Sequence, residues 1–134
     1  MYLFDTDVLT TVLKPRPPRR LLERLSDVPA SRQFTSTVTI SEIVYGAHKS
    51  DRTDHHIRNL EQVLLPAVNV LDFDAEAAYL AGAIRARLEA RGLPLSFADI
   101  QIAAIARANE LTLITGNERN FRRIGDLRVE SWLA

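Results

Sequence analysis

The run Tyr2-Leu3-Phe4, stopping abruptly at Asp5 and Asp7, constrains the fold of this chain more than any other stretch. Consecutive apolar residues of good strand propensity, with no polar alternation, suit a strand covered on both faces. That is the situation of a central strand in a parallel sheet. An acid at the carboxyl end of such a strand lies on the sheet edge where α/β proteins place their ligands. The competing reading is local: Thr6 or Asp7 caps the following helix and Asp5 is a solvated loop acid.

The rest of the chain repeats the pattern. Val8 to Leu13 predicts a helical turn, ended by the basic, proline-rich Lys14-Pro-Arg-Pro-Pro-Arg-Arg20, which no regular helix or central strand accommodates. A short amphipathic helix is expected over 20–25 and a second strand over 34–38. Thr39-Ile-Ser-Glu42 reads as the opening of a helix, and 51–65 as a further helix with Ile57, Leu60, Val63 and Leu64 on one face, stopped by Pro66. Val68 to Phe73 predicts a third strand. Asp74 caps a long helix over 75–91 with Ala78, Ala81, Ile84 and Leu88 as its apolar stripe, and Gly92 ends it. Ser96-Phe-Ala-Asp99 opens a helix apolar nearly all round, hence buried. A fourth strand is expected over 111–115, a polar turn over 116–120 and a last strand over 127–132. Strand and helix alternate without internal repeats or a Gly/Ser linker, which predicts one α/β domain over 1–134 with a mostly parallel central sheet flanked by helices.

Composition removes whole classes. With 134 residues, 46% apolar and 25% charged, the chain has the make-up of an ordinary globular domain able to bury a core. No apolar stretch approaches the ~20 residues of a membrane span, and Met1 leads into Tyr-Leu-Phe without the basic start of a secretory leader. The absence of cysteine excludes disulfides and thiolate metal sites and fits a cytoplasmic setting. Net charge is zero, yet the cations are fifteen arginines against Lys14 and Lys49. Arginine forks suit phosphate or carboxylate, and a GC-rich genome would produce the same bias.

Three acids stand out by position. Each crossover helix of a parallel sheet begins at the edge where the preceding strand ended. Asp5 follows the first strand, Glu42 the second, and Asp99 opens the buried helix; Thr115, Asn117 and Asn120 follow the fourth strand. If the central strands are neighbours, Asp5, Glu42 and Asp99 share one pocket. Singly, Glu42 and Asp99 also fit capping boxes begun by Thr39 and Ser96. Together, crowded carboxylates repel and are costly to desolvate, and no lysine is near in sequence. A hard divalent cation such as Mg²⁺ or Mn²⁺ compensates such a cluster.

Phe4-Asp5-Thr6-Asp7-Val8-Leu9, Ser41-Glu42-Ile43 with Gly46, Ala98-Asp99-Ile100-Gln101-Ile102-Ala103-Ala104, and Leu113-Ile114-Thr115-Gly116-Asn117 with Phe121 resemble, in order and spacing, the successive motifs of PIN-domain ribonucleases. The resemblance is strongest to VapC-type toxins of bacterial toxin–antitoxin pairs and covers nearly the whole chain. It implies a Mg²⁺- or Mn²⁺-dependent endoribonuclease, a homodimer, and a small antitoxin whose tail occludes the site. It further implies that Asp5, Glu42 and Asp99 are metal-binding catalytic acids, with Asp7, Thr115, Asn117 and Asn120 in support. Water would attack phosphorus in line, Asp5 and Asp99 holding the ion and Glu42 ligating it or orienting the water. Arg119, or one of Arg16, Arg19 and Arg20, is the candidate for holding the RNA backbone. The chain departs from the family at Asn120, where many relatives carry an acid; Glu118 or Asp7 is the candidate substitute.

Other residues invite different readings. His55 and His56 resemble a metal pair, but adjacent helical residues do not share a face. Trp132 reads as a core residue, and Tyr45 with Gly46 either as a dimer contact or as interior packing. Two rival functions fit the same residues. A PIN-like module that binds RNA or protein without cutting would explain Asn120. A haloacid-dehalogenase-like phosphatase would explain Asp5-Thr6-Asp7, although neither lysine follows a suitable later strand.

Overall fold

The computed structural model describes residues 1–133; Ala134, the last residue of the expected domain, lies outside them. Strands β1 (Tyr2–Phe4), β2 (Gln33–Ser36), β3 (Asn69–Leu71), β4 (Thr112–Ile114) and β5 (Val129–Glu130) form one sheet in the order β3-β2-β1-β4-β5, with every pairing parallel. The sequence reading of a mostly parallel α/β sheet is therefore met in full. Because β1 lies in the middle, its carboxyl end is flanked by those of β2 and β4.

Helices cover both faces of the sheet: α1 (Thr6–Val12), α2 (Arg19–Ser26), α3 (Thr37–Lys49), α4 (Thr53–Asn59), α5 (Ala75–Ala90), α6 (Phe97–Ala108) and the single turn α7 (Glu118–Phe121). Alternate residues of the central strands face opposite layers. Leu3 and Leu113 pack with α5 and α6, around Ile84, Leu88, Ile102 and Ile105. Phe4 and Ile114 pack with Val8, Leu9, Leu21, Ile43, Leu60 and Trp132 on the other side. Trp132 is the expected core residue, edge-on to Tyr2 and Phe4, with its indole N–H donating to Glu130.

Several local expectations are corrected. Thr37 and Val38 are helical, although their β-branched side chains favour a strand, because Ser36 rather than Thr39 is the cap: its Oγ accepts from the Thr39 N–H at 3.1 Å. After α4 the chain widens into a π-helical turn over Leu60–Leu64. Leu60 and Leu64 are buried there, while Val63 is exposed. On α5 the buried stripe begins at Ala77 rather than Ala78. Tyr45 does not pack inside; it is 67% exposed. Among the described residues no helix is long and apolar enough to cross a membrane.

Candidate active site

The parallel order brings the carboxyl ends of β1, β2 and β4 side by side, and with them the acids singled out in the sequence. Asp5 is the residue that caps α1, a role the sequence reading gave to Thr6 or Asp7. One oxygen of its carboxylate accepts from the Thr6 N–H and the other from the Thr115 hydroxyl, each at 2.8 Å. Thr115 Oγ1 in turn accepts from the Asn117 N–H at 3.0 Å, so the turn after β4 braces Asp5.

Glu42 lies in the second turn of α3, beyond any capping role, and accepts a 2.6 Å hydrogen bond from the Thr6 hydroxyl. Thr6 is thus a site residue that sequence reasoning missed; the signal was a hydroxyl between two acids. Asp99 stands in the first turn of α6. Its N–H donates to Ser96 Oγ at 3.2 Å. Among the described residues its carboxylate makes no return bond to the Ser96 N–H, so only half of the capping box forms.

Asp7 approaches from α1 and accepts from the Gly116 N–H at 2.9 Å. That approach needs glycine, since a Cβ at position 116 would meet Asp7 Oδ2 at 2.6 Å. The other oxygen of Asp7 is buried with no hydrogen-bond partner among the described residues. Glu118, the other candidate for the acid missing at Asn120, is instead paired with Arg122 at 2.7 Å. Asp7 is therefore the fourth acid of this edge. Among the described residues the side chains of Asn117 and Asn120 make no hydrogen bond to the acids; Asn117 contributes its backbone N–H, to Thr115.

Burial and neighbouring charges shift three of the acids in the same direction. Burial, and then the Asp7 and Asp99 charges, push the Asp5 carboxyl up to about 7, against the lowering effect of the Thr115 and Thr6 hydrogen bonds. Asp7 is raised by burial and, more weakly, by Glu42. Asp99 is raised by burial and, more weakly, by Glu42 and Asp7, against the lowering effect of a hydrogen bond with the Ser96 side chain. None of the four forms an ion pair among the described residues. They share a field without touching: no three Asp, Glu or His side chains among the described residues converge closely enough to hold a metal as they stand. The tight pocket expected from the sequence is thus a looser ring, in which Thr6 bonds both Asp5 and Glu42, Thr115 bonds Asp5 and Gly116 bonds Asp7. The donor set nevertheless suits a hard divalent cation, being all oxygen and anionic with a buried oxygen left unsatisfied.

The PIN-domain profile matches residues 2–127. This chain belongs to the PIN-domain family. Within it, the tRNA(fMet)-specific endonuclease VapC of Shigella flexneri is 35% identical over 131 residues, covering 98% of this chain and 97% of that protein. Ribonuclease VapC2 of Haemophilus influenzae is likewise 35% identical, covering 98% of both chains. The crystal structure of VapBC2 from Rickettsia felis, bound to a DNA fragment from its promoter, superposes with a TM-score of 0.89 at 28% identity over 98% of both chains. The PIN domain thus has VapC ribonucleases as full-length relatives, and the phosphatase reading falls away.

The remaining sequence candidates lie outside the ring of acids. Arg119 is exposed on α7, Arg16 is exposed in the proline-rich segment, and Arg19 is paired with Glu23 on α2. Arg20 is exposed on the same helix. The rings of His55 and His56 meet edge to face at 5.3 Å on α4, with His55 against Asn59 rather than an acid.

Proposed function

We propose that this PIN-domain protein is a VapC-type toxin, an endoribonuclease acting in the cytoplasm with Mg²⁺ or Mn²⁺ and restrained by a cognate antitoxin. The observation that carries this reading is a buried carboxylate, Asp5, set among Asp7, Glu42 and Asp99 with no cationic side chain paired to any of them among the described residues. Like charges persist in such a setting when a ligand supplies the opposite one.

Asp5 and Asp99 are the residues to hold the ion, with Glu42 and the unsatisfied oxygen of Asp7 as further donors. When bound, a divalent ion supplies Lewis acidity toward a phosphodiester oxygen and lowers the pKa of water. The chain's own contribution is positioning. Thr6 fixes one oxygen of Glu42, leaving the other to orient an attacking water and accept its proton. Thr115, braced by the Asn117 N–H, keeps Asp5 from turning away. Asp7 restores the negative charge that Asn120 lacks, which argues against a binding module without activity. Arg119, Arg16, Arg19 and Arg20 are candidates for holding RNA near the cut. Exposed Tyr45, beside the open surface at Gly46, is the proposed homodimer contact on α3.

The test is expression of this chain alone and with its neighbouring small open reading frame, together with cleavage assays on total RNA and initiator tRNA. Growth arrest relieved by the neighbour and lost in Asp5→Ala is the expected result. Undiminished arrest and RNA cleavage in Asp5→Ala would remove the proposal.

A further inference from the structure

A polyanionic substrate presents this molecule with an electrostatic difficulty. The formal net charge is zero and the proposed catalytic edge is acidic, so attraction for RNA has to come from a positive patch elsewhere. One cavity supplies it. A pocket of about 380 Å³ between α5, α6 and the turn after α7 is lined by Arg87, Arg91, Arg107 and Arg123, and no acid lines it. Its floor is the apolar surface of Ile84, Leu88 and Ile124.

These guanidiniums are poorly compensated. Arg107 reaches Asp126 only at 3.9 Å, and that carboxylate is 85% exposed, so the pair is a weak surface contact. Arg91 donates to the Arg123 carbonyl at 3.2 Å. The guanidiniums of Arg87 and Arg123 have no acceptor among the described residues. Arg87 and Arg107 each answer the negative end of their own helix. That role does not account for four like charges around a common cavity, where a phosphate would meet their forks. The apolar floor offers a surface for the base or ribose of the same nucleotide, which bare phosphate would leave unused.

We propose that this pocket is a second contact site for RNA, holding a nucleotide of the substrate away from the scissile bond. The inference rests on the RNA-cleaving reading above. Arg107 lies in the last turn of α6 and Asp99 in the first, about 12 Å apart along the axis at ~1.5 Å per residue. One phosphate therefore cannot serve both places, and the pocket contributes to substrate affinity rather than to bond cleavage.

The experiment replaces the two arginines that have no acceptor among the described residues, as Arg87→Ala/Arg123→Ala and, keeping a polar uncharged side chain, Arg87→Gln/Arg123→Gln. RNA affinity is measured at several salt concentrations in an Asp99→Asn background, and KM and kcat in the parent background. The expected result is about tenfold weaker binding, a shallower salt dependence by roughly 0.7 per lost phosphate contact, and a raised KM with kcat unchanged. Unaltered affinity and salt slope alongside intact cleavage would overturn the pocket and leave the nuclease standing. Binding that depends on these arginines in a parent that cuts no RNA would keep the pocket and overturn the nuclease. A thermal shift with guanosine monophosphate that RNA does not compete away would reassign the pocket to a free nucleotide and overturn the RNA contact.

Discussion

The interior of the sheet and its carboxyl edge lie within one strand length of each other and obey opposite rules. Inside, polar groups are few and satisfied: the buried Thr35 hydroxyl donates to the Phe4 carbonyl at 3.2 Å. At the edge, four acids share a field, the deepest of them is only 6% exposed, and one buried oxygen has no partner among the described residues. The interior is built for stability. The edge carries a cost in stability that makes sense only if something binds there.

Substitutions should therefore have opposite signs in the two regions. The largest effect expected is on activity: Asp99→Asn should lower RNA cleavage on the order of 10²–10⁴-fold, while thermal unfolding shows no loss of stability. A variant that cleaves normally, or that unfolds early, would erase the distinction. In the interior, Leu113→Ala should destabilise by about 2–5 kcal/mol in denaturant titration, since Leu113 is fully buried between its neighbours.

Asp5→Asn should do the reverse in metal-free protein, stabilising it by roughly 1–3 kcal/mol at pH 8. The Asp5 carboxyl titrates at about 7 in the folded chain against an ordinary 3.8. Below the lower value both states are neutral and nothing is lost. Between the two values the unfolded chain ionises first, so stability falls as pH rises, and above about 7 the full penalty is present. The gain in Asp5→Asn should accordingly vanish at pH 4, which unfolding curves at the two pH values would check. A smaller loss of stability, about 1–2 kcal/mol, is expected for Gly116→Ala, whose Cβ would meet both Asp7 Oδ2 and Leu133 Cδ1 and push Asp7 off the Gly116 N–H; partial restoration by a further Asp7→Ala would sharpen the assignment.

The two regions also differ in how far the sequence revealed them. Apolar runs such as Tyr2-Leu3-Phe4 and Leu111-Thr-Leu-Ile114 disclosed the strands, and their order along the chain placed Asp5, Glu42 and Asp99 on one edge. The bounds were less legible, because Thr37 and Val38 have strand propensity and only the Ser36 cap and the packing of α3 override it. The partners of the acids were hidden for a related reason. Thr6 meets Glu42 across 36 positions and Gly116 meets Asp7 across 109, separations that no local pattern encodes. Glu118 looked available until its own helix turn paired it with Arg122. Arg87, Arg91, Arg107 and Arg123 read as scattered surface cations until three segments brought them around one cavity.

The most direct test follows the Asp5 carboxyl by carbon-detected NMR through a pH titration, with and without Mg²⁺. A midpoint near 7 in metal-free protein, falling markedly once the ion is present, is the result expected of a buried acid kept for a cation. An ordinary midpoint near 4 that Mg²⁺ leaves unmoved would contradict the account at its centre.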